Sequence, residues 1–222
     1  MPDLPLFESL EGLRGTGKST VAPLLAAARG AVHVPTVPLC YQSLRRRVDM
    51  QGSVEARMCF YLSALFAASD EIQNYLADGV PVVVESYFAR CLATHRAFGT
   101  RLGVTLPRCL PQPVTYQLVC SEDERQRRLA QRSKSLSRWD ELGEKVADAI
   151  TDAYAQFPMQ QVDATGLRPD QVVQTILATE NEGASCGDPE PMGTHPHILP
   201  SVPRRVEGSR IRSRHGRSRR RE

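Results

Sequence analysis

The chain has 222 residues, 41% hydrophobic and 24% charged, which suits one compact domain with or without an unstructured extension. No stretch reaches the roughly 20 apolar residues that span a bilayer, and Met1-Pro2-Asp3 opens no secretory leader, so a cytoplasmic location without membrane association is expected. The net charge of +3 divides unevenly: residues 1–180 carry 19 basic and 20 acidic side chains, the last 42 carry 9 arginines and 5 acids, and a near-neutral body excludes a global nucleic-acid binder.

Short apolar runs alternate with helical patterns, the order expected of parallel β-α units. In chain order, strands are predicted over residues 6–10, 31–34, 80–84, 114–119 and 159–162, and helices over residues 18–28, 54–77, 122–132, 140–156 and 170–178. Ser121 with Glu124 three residues on has the spacing of a capping box at the start of the third helix. The fold class that follows is α/β, a five-stranded doubly wound parallel sheet with ligands beyond the carboxyl ends of its strands. Two residues run against it. Glu8 lies inside the first strand, where a buried parallel strand normally reads as continuously apolar, and Pro23 removes a backbone donor early in the first helix.

Residues 181–222 combine five prolines with the basic run from Arg204 to Arg221 and have almost no apolar periodicity. Such a composition buries too little apolar surface to offset the entropy of ordering it, so the chain divides into a domain of residues 1–180 and a disordered Pro/Arg-rich basic tail of residues 181–222. Arginine runs without aromatic residues hold polyanions loosely and cannot read bases, so no sequence-specific nucleic acid is expected as a partner. The six cysteines are never closer than eleven positions, which offers no metal knuckle or redox pair and leaves them as reduced apolar residues.

The strongest pattern is Gly12-Leu13-Arg14-Gly15-Thr16-Gly17-Lys18-Ser19, a match to G-x-x-x-x-G-K-[ST] between a strand and a helix. Glycines permit turns closed to other residues, so that successive N–H groups face inward around phosphate oxygens at a helix N-terminus. The nucleotide-binding candidates are Gly12, Arg14, Gly15, Thr16, Gly17, Lys18, Ser19 and Thr20; Lys18 would reach the β and γ phosphates of ATP and Ser19 would ligate Mg2+. Asn occurs only at 74 and 181, so no N-K-x-D element for guanine exists, and small size favours a metabolite kinase.

Over residues 6–180 the chain resembles thymidylate kinases and the neighbouring deoxynucleoside kinases, in the P-loop NTPase fold with an arginine-rich helical lid. The residues that carry the resemblance are Phe7-Glu8-Ser9-Leu10-Glu11-Gly12, Phe60-Tyr61, Val82-Val83-Val84-Glu85-Ser86-Tyr87, Arg125 to Trp139, and Val162-Asp163-Ala164-Thr165-Gly166. The resemblance implies that Glu85, at the end of the third strand, lies near the Mg2+ and the acceptor. There a carboxylate can orient bound water or accept a hydroxyl proton. Thymidylate kinases usually have Asp-Arg-Tyr at Glu85-Ser86-Tyr87, and Arg90 or Arg96 is expected to replace the missing arginine. The segment with Arg125, Arg127, Arg128, Arg132, Lys134 and Arg138 resembles the lid over ATP. Arg132 and Arg138 are the candidates that neutralise charge on the transferred group, Arg128 stands near adenine, and Thr165 borders that base. Phe60 is expected to stack on the acceptor, with Ala64 where the family presents an arginine, and Arg14 replaces a family aspartate. The family's R-E-P-G-G-T segment is missing; Val34-Pro35-Thr36-Val37-Pro38 stands in its place. The resemblance also carries a homodimer as an expectation.

The leading expectation is an ATP- and Mg2+-dependent kinase acting on a nucleoside, nucleotide or related small-molecule phosphoryl acceptor. Glu85 in place of aspartate tilts it toward a hydroxyl acceptor. Thymidylate kinase proper is the narrower alternative; a non-catalytic ATP-binding regulatory protein is the alternative from another class. Trp139, the single tryptophan, is either a reporter of lid closure or a packing anchor.

Overall fold

The computed structural model describes residues 6–133 and 135–183. The proposed tail of residues 181–222 lies outside them from residue 184 onward, as does Lys134 of the lid segment.

Five parallel strands form one sheet in the order β2-β3-β1-β4-β5. They are β1 (Phe7–Glu11), β2 (Val32–Val34), β3 (Val82–Glu85), β4 (Val114–Val119) and β5 (Gln160–Asp163). The register aligns Leu10 with Glu85 and Glu11 with Gln117, so the ends of β1 and β3 open on the same edge. The eight helices of the described residues are α1 (Lys18–Arg29), α2 (Leu39–Met50), α3 (Val54–Ala77), α4 (Phe88–Ala97), α5 (Glu122–Ala130), α6 (Arg138–Lys145), α7 (Ala147–Tyr154) and α8 (Pro169–Gly183). No described helix is long and apolar enough to cross a membrane.

Apolar side chains cover both faces of the sheet, as a parallel sheet requires. On one face Leu10, Val83, Tyr116 and Leu118 pack against Val21 and Leu25 of α1 and Val172 and Ile176 of α8. On the other, Phe7, Val82 and Val84 pack against Met58, Leu65 and Ile72 of α3 and Phe88 and Cys91 of α4. Alternate valines of β3 thus serve opposite layers, the period-2 rule of a strand.

The five strands fall within two residues of their predicted positions. Glu8 is fully buried, and its carboxylate is met by Arg29 at the end of α1, Nη2 to Oε1 at 2.9 Å and Nε to Oε2 at 3.1 Å. A buried charge persists where a bidentate partner satisfies it. Pro23 lies on the exposed side of α1, which continues to Arg29.

Three expectations are corrected. The helix over residues 140–156 divides into α6 and α7 at Val146, whose φ of −119° leaves the helical range. This lets α6 lie against α2 while α7 packs on α4. Next, α2 and α4 lie in stretches without predicted elements, and no residue of α2 is buried. Lastly, Ser121 does cap α5, accepting from Glu124 N at 3.4 Å, but the reciprocal half of the box is absent. The Glu124 carboxylate is engaged by Arg127 and Arg128, and Ser121 N donates to Thr165 Oγ1. The full capping box belongs to α6, between Ser137 and Asp140.

Candidate active site

The six residues from Gly12 to Gly17 join β1 to α1. Gly12 has φ 132°, and a Cβ there would stand 2.4 Å from Leu118 O of β4, so only glycine fits where the loop leaves the sheet. Gly17 caps α1 with φ 103°, and Thr16 Oγ1 donates to Leu13 O at 3.0 Å across the turn. Lys18, buried on the first turn of α1, folds back over the loop: its Nζ donates to Gly12 O at 2.9 Å and Leu13 O at 2.7 Å. Burial, with the positive charge of Arg90 beside it, lowers its pKa to about 7. Such an amine is under-stabilised as a cation, and incoming anionic oxygens would favour its charged form.

Across from the loop, Ser19 Oγ donates to Glu85 Oε1 at 3.0 Å, while the Glu85 carbonyl accepts from Thr36 Oγ1 at 2.9 Å. The next residue, Ser86, adopts φ 66°, the only non-glycine in the left-handed region among the described residues. That strained turn aims Tyr87 N at Glu11 Oε1, 2.6 Å away. Glu11 is fully buried; it also accepts from Ser9 Oγ at 3.2 Å and Tyr154 OH at 3.4 Å, and burial raises its pKa to about 7. Glu11 thus ties the end of β1 to the segment after β3. Its role was visible only as part of the resembling strand, because a lone acid at a strand end carries no signal of its partners.

The arginines separate into distinct places. Arg90, from α4, donates to Gly12 O at the back of the loop. Arg96, two turns further on, is exposed and reaches Gln156 of the α7–β5 link, away from the loop. Arg128 bridges Thr16 O at 3.3 Å and Ala164 O at 2.8 Å, joining the Gly12–Gly17 loop to the loop after β5. Thr165, beside it, turns inward on Asp163 and receives Ser121 N, so it braces that loop and is not part of the cleft wall. Arg132 lines the cleft from beyond α5. Arg138 points the other way: its guanidinium lies against Gly52 between α2 and α3, outside the cleft wall. Arg14 reaches Asp140 and Glu144 of α6, and Thr20 is exposed on α1 with its side chain outside the cleft wall.

The cleft has a volume of about 430 Å³ and runs from the loop past Glu85 to an inner end made of Arg57, Tyr61, His95, Phe98 and Trp139. Phe60 does not reach it, packing instead edge-on against Tyr41 of α2, and Ala64 is fully buried. Tyr61, the next residue, lines the cleft. Arg57 lies with its guanidinium carbon 4.6 Å from the Tyr61 ring centre and 5.0 Å from that of Trp139, a paired cation–π arrangement. Its Nε donates to Asp49 Oδ1 at 3.1 Å, and its Nη1 is 3.0 Å from His95 Nε2. His95 Nδ1 lies 2.7 Å from Cys91 O, which must accept, so the proton sits on Nδ1 and Nε2 receives Arg57. Burial holds this neutral form by lowering the His95 pKa to about 4.

No group of three or more His, Cys, Asp or Glu able to hold a metal occurs among the described residues. The hydroxyl and carboxylate of Ser19 and Glu85 nevertheless form the sparse oxygen donor set that suits Mg2+, an ion that retains several waters and shares phosphate oxygens.

No family model matches the chain, and no curated protein matches it. Among solved structures, a thymidylate kinase from Candida albicans superposes with a TM-score of 0.65 over 82% of this chain and 93% of that one, at 16% sequence identity. In its five-stranded parallel sheet and its flanking helices, the chain has the fold that this thymidylate kinase displays.

Proposed function

We propose that the chain is an ATP- and Mg2+-dependent kinase that transfers the γ-phosphoryl group to a nucleoside, a nucleotide or a related small metabolite. The observation that carries this reading is the 3.0 Å pair of Ser19 and Glu85 on the rim of a loop whose lysine is buried. Ser19 and Glu85 would hold Mg2+, which when bound neutralises phosphate charge. Lys18 exchanges the carbonyls of Gly12 and Leu13 for phosphate oxygens, regaining its full charge as it does so. Phosphoryl transfer depends on positioning and charge stabilisation more than on covalent help. Arg90, bonded to Gly12 O, and Arg132, which lines the cleft, stabilise charge on the equatorial oxygens. Glu85 orients the acceptor or takes its hydroxyl proton, and Arg128, between the two loops, borders the adenine.

Arg90 favours a narrower second reading, thymidylate kinase proper, because it brings a guanidinium to the loop from outside the position of Ser86. The test is ADP release from ATP and Mg2+ with a panel of nucleosides, nucleoside monophosphates and sugar-like hydroxyl compounds. Turnover with thymidine monophosphate alone selects the narrower reading, and a hydroxyl acceptor selects Glu85 as base. ATP binding without ADP release on any acceptor counts against transfer and favours a nucleotide-binding regulatory protein.

A further inference from the structure

Arg14 belongs to the phosphate loop, yet its side chain leaves the loop for α6. Its Nε lies 3.1 Å from Asp140 Oδ1, whereas its Nη1 is 3.6 Å from Glu144 Oε1, beyond hydrogen-bond range. Nη1 is buried and has no hydrogen-bond partner among the described residues. A buried donor left unbonded is costly, and Arg14 is one of the residues that line the cleft, so turning its guanidinium toward the loop would satisfy that donor with a ligand oxygen. The neighbouring Leu13 O is held by Lys18 Nζ at 2.7 Å, which puts Arg14 at the end of the loop where the outer phosphates of a nucleotide would lie.

Asp140 does not follow Arg14 as a loose side chain. Its Oδ2 accepts from Ser137 N at 3.0 Å and Ser137 Oγ at 2.8 Å, so a pull on Asp140 is a pull on the first turn of α6. The residue before it is Trp139, whose Nε1 donates to Asp49 O at 2.9 Å and whose ring faces Arg57. The Asp49 carboxylate in turn holds Arg57 and Tyr61. Contacts therefore run without a break from the phosphate loop to the inner end of the cleft.

We infer that Arg14 is a positioning residue: it exchanges part of its hold on α6 for an oxygen of a polyphosphate in the loop, and α6 carries that event to Trp139 and the Arg57 end of the cleft. The differential interaction such coupling needs is the competition between the Asp140 carboxylate and phosphate for one guanidinium. The inference rests on the proposed function only in taking a polyphosphate as the ligand of the loop.

The test uses the full chain and its single tryptophan. Mg-ADP and the Mg complex of a β,γ-imido ATP analogue are titrated by calorimetry, with Trp139 emission followed in parallel. The wild-type chain binds, and its emission changes on saturation, more with the triphosphate. Arg14→Met loses that change, and Asp140→Asn, which cuts the same link from the helix side, loses it while the heat of binding persists. Circular dichroism checks that both variants fold, and if Arg14→Met does not, Asp140→Asn decides alone. An unaltered emission change in Asp140→Asn, or a silent Trp139 in a wild-type chain that binds, overturns the inference and leaves the proposed function standing. A wild-type chain with no heat of binding overturns the polyphosphate reading of the loop and the inference together.

Discussion

Ser19 and Glu85, 66 positions apart, meet through a 3.0 Å hydrogen bond because β1 and β3 are paired neighbours that end at one edge, the register placing Glu85 opposite Leu10. If that pair organises the chemistry, removing either member removes more than a contact. We expect Glu85→Gln and Ser19→Ala each to lower the turnover number by at least about 100-fold, with Lys18→Ala at least as severe. Steady-state ADP release with the best acceptor measures this, and near-normal turnover of Glu85→Gln would remove that carboxylate from the mechanism.

Arg90 and Arg96 are both on α4, but only Arg90 reaches the loop. Arg90→Met should reduce turnover by about 10²-fold or more, as expected on losing a charge-stabilising donor. Arg96→Ala, an exposed change, should stay within about twofold of the wild type. Comparable losses in both variants would mean that Arg96 swings into the cleft during turnover.

The strands and the glycine loop after β1 were legible because each is written locally: short apolar runs, β-branched in β3 and β4, and glycines at fixed spacing before a helix. What the sequence left open depended on partners far along the chain. Phe60 and Tyr61 are adjacent aromatics, and only the phase of α3 separates them: Tyr61 falls on the side of Met58 and Leu65, three and four residues away, and Phe60 turns toward α2. Arg138 belongs to the segment read as a lid, yet its guanidinium lies against Gly52 where α6 begins, a neighbour 86 positions away that the basic run does not announce. Likewise α2, short and mostly polar, buries no residue and presents Asp49 and Arg45 to Arg57 and Tyr61.

Glu8 and Arg29 show how a buried acid is tolerated in a parallel strand. Arg29→Ala removes the guanidinium that meets the buried Glu8 carboxylate on both oxygens and should cost about 3–5 kcal/mol of unfolding free energy. Replacing both, as Glu8→Leu with Arg29→Leu, should cost much less, because the buried carboxylate is removed together with the guanidinium that meets it. Urea denaturation of the two variants settles this, and a double variant as unstable as Arg29→Ala would mean that packing around the pair, rather than its charge balance, sets the cost.

His95 gives the fold a specific acid sensitivity. Its pKa is about 4 in the folded chain, below its ordinary 6.5, chiefly because it is buried, and Arg57 adjacent to it adds to the depression. Between those two values the unfolded chain binds a proton that the folded chain refuses, so stability is at its full value above pH 6.5 and falls as pH drops toward 4. The imidazolium would also lose its bond to Arg57, since Nε2 would become a donor facing a guanidinium at 3.0 Å. His95→Gln, which has no titrating group, should flatten that part of the stability curve while lowering the plateau, because the packing against Tyr61 and Phe98 is lost. The measurement is the urea midpoint at steps of pH between 7 and 4 for both proteins. Parallel curves would show that the acid loss arises elsewhere; Glu11, its pKa raised to about 7 by burial, acts in the opposite direction over this range, because the folded chain holds its proton more tightly than the unfolded one.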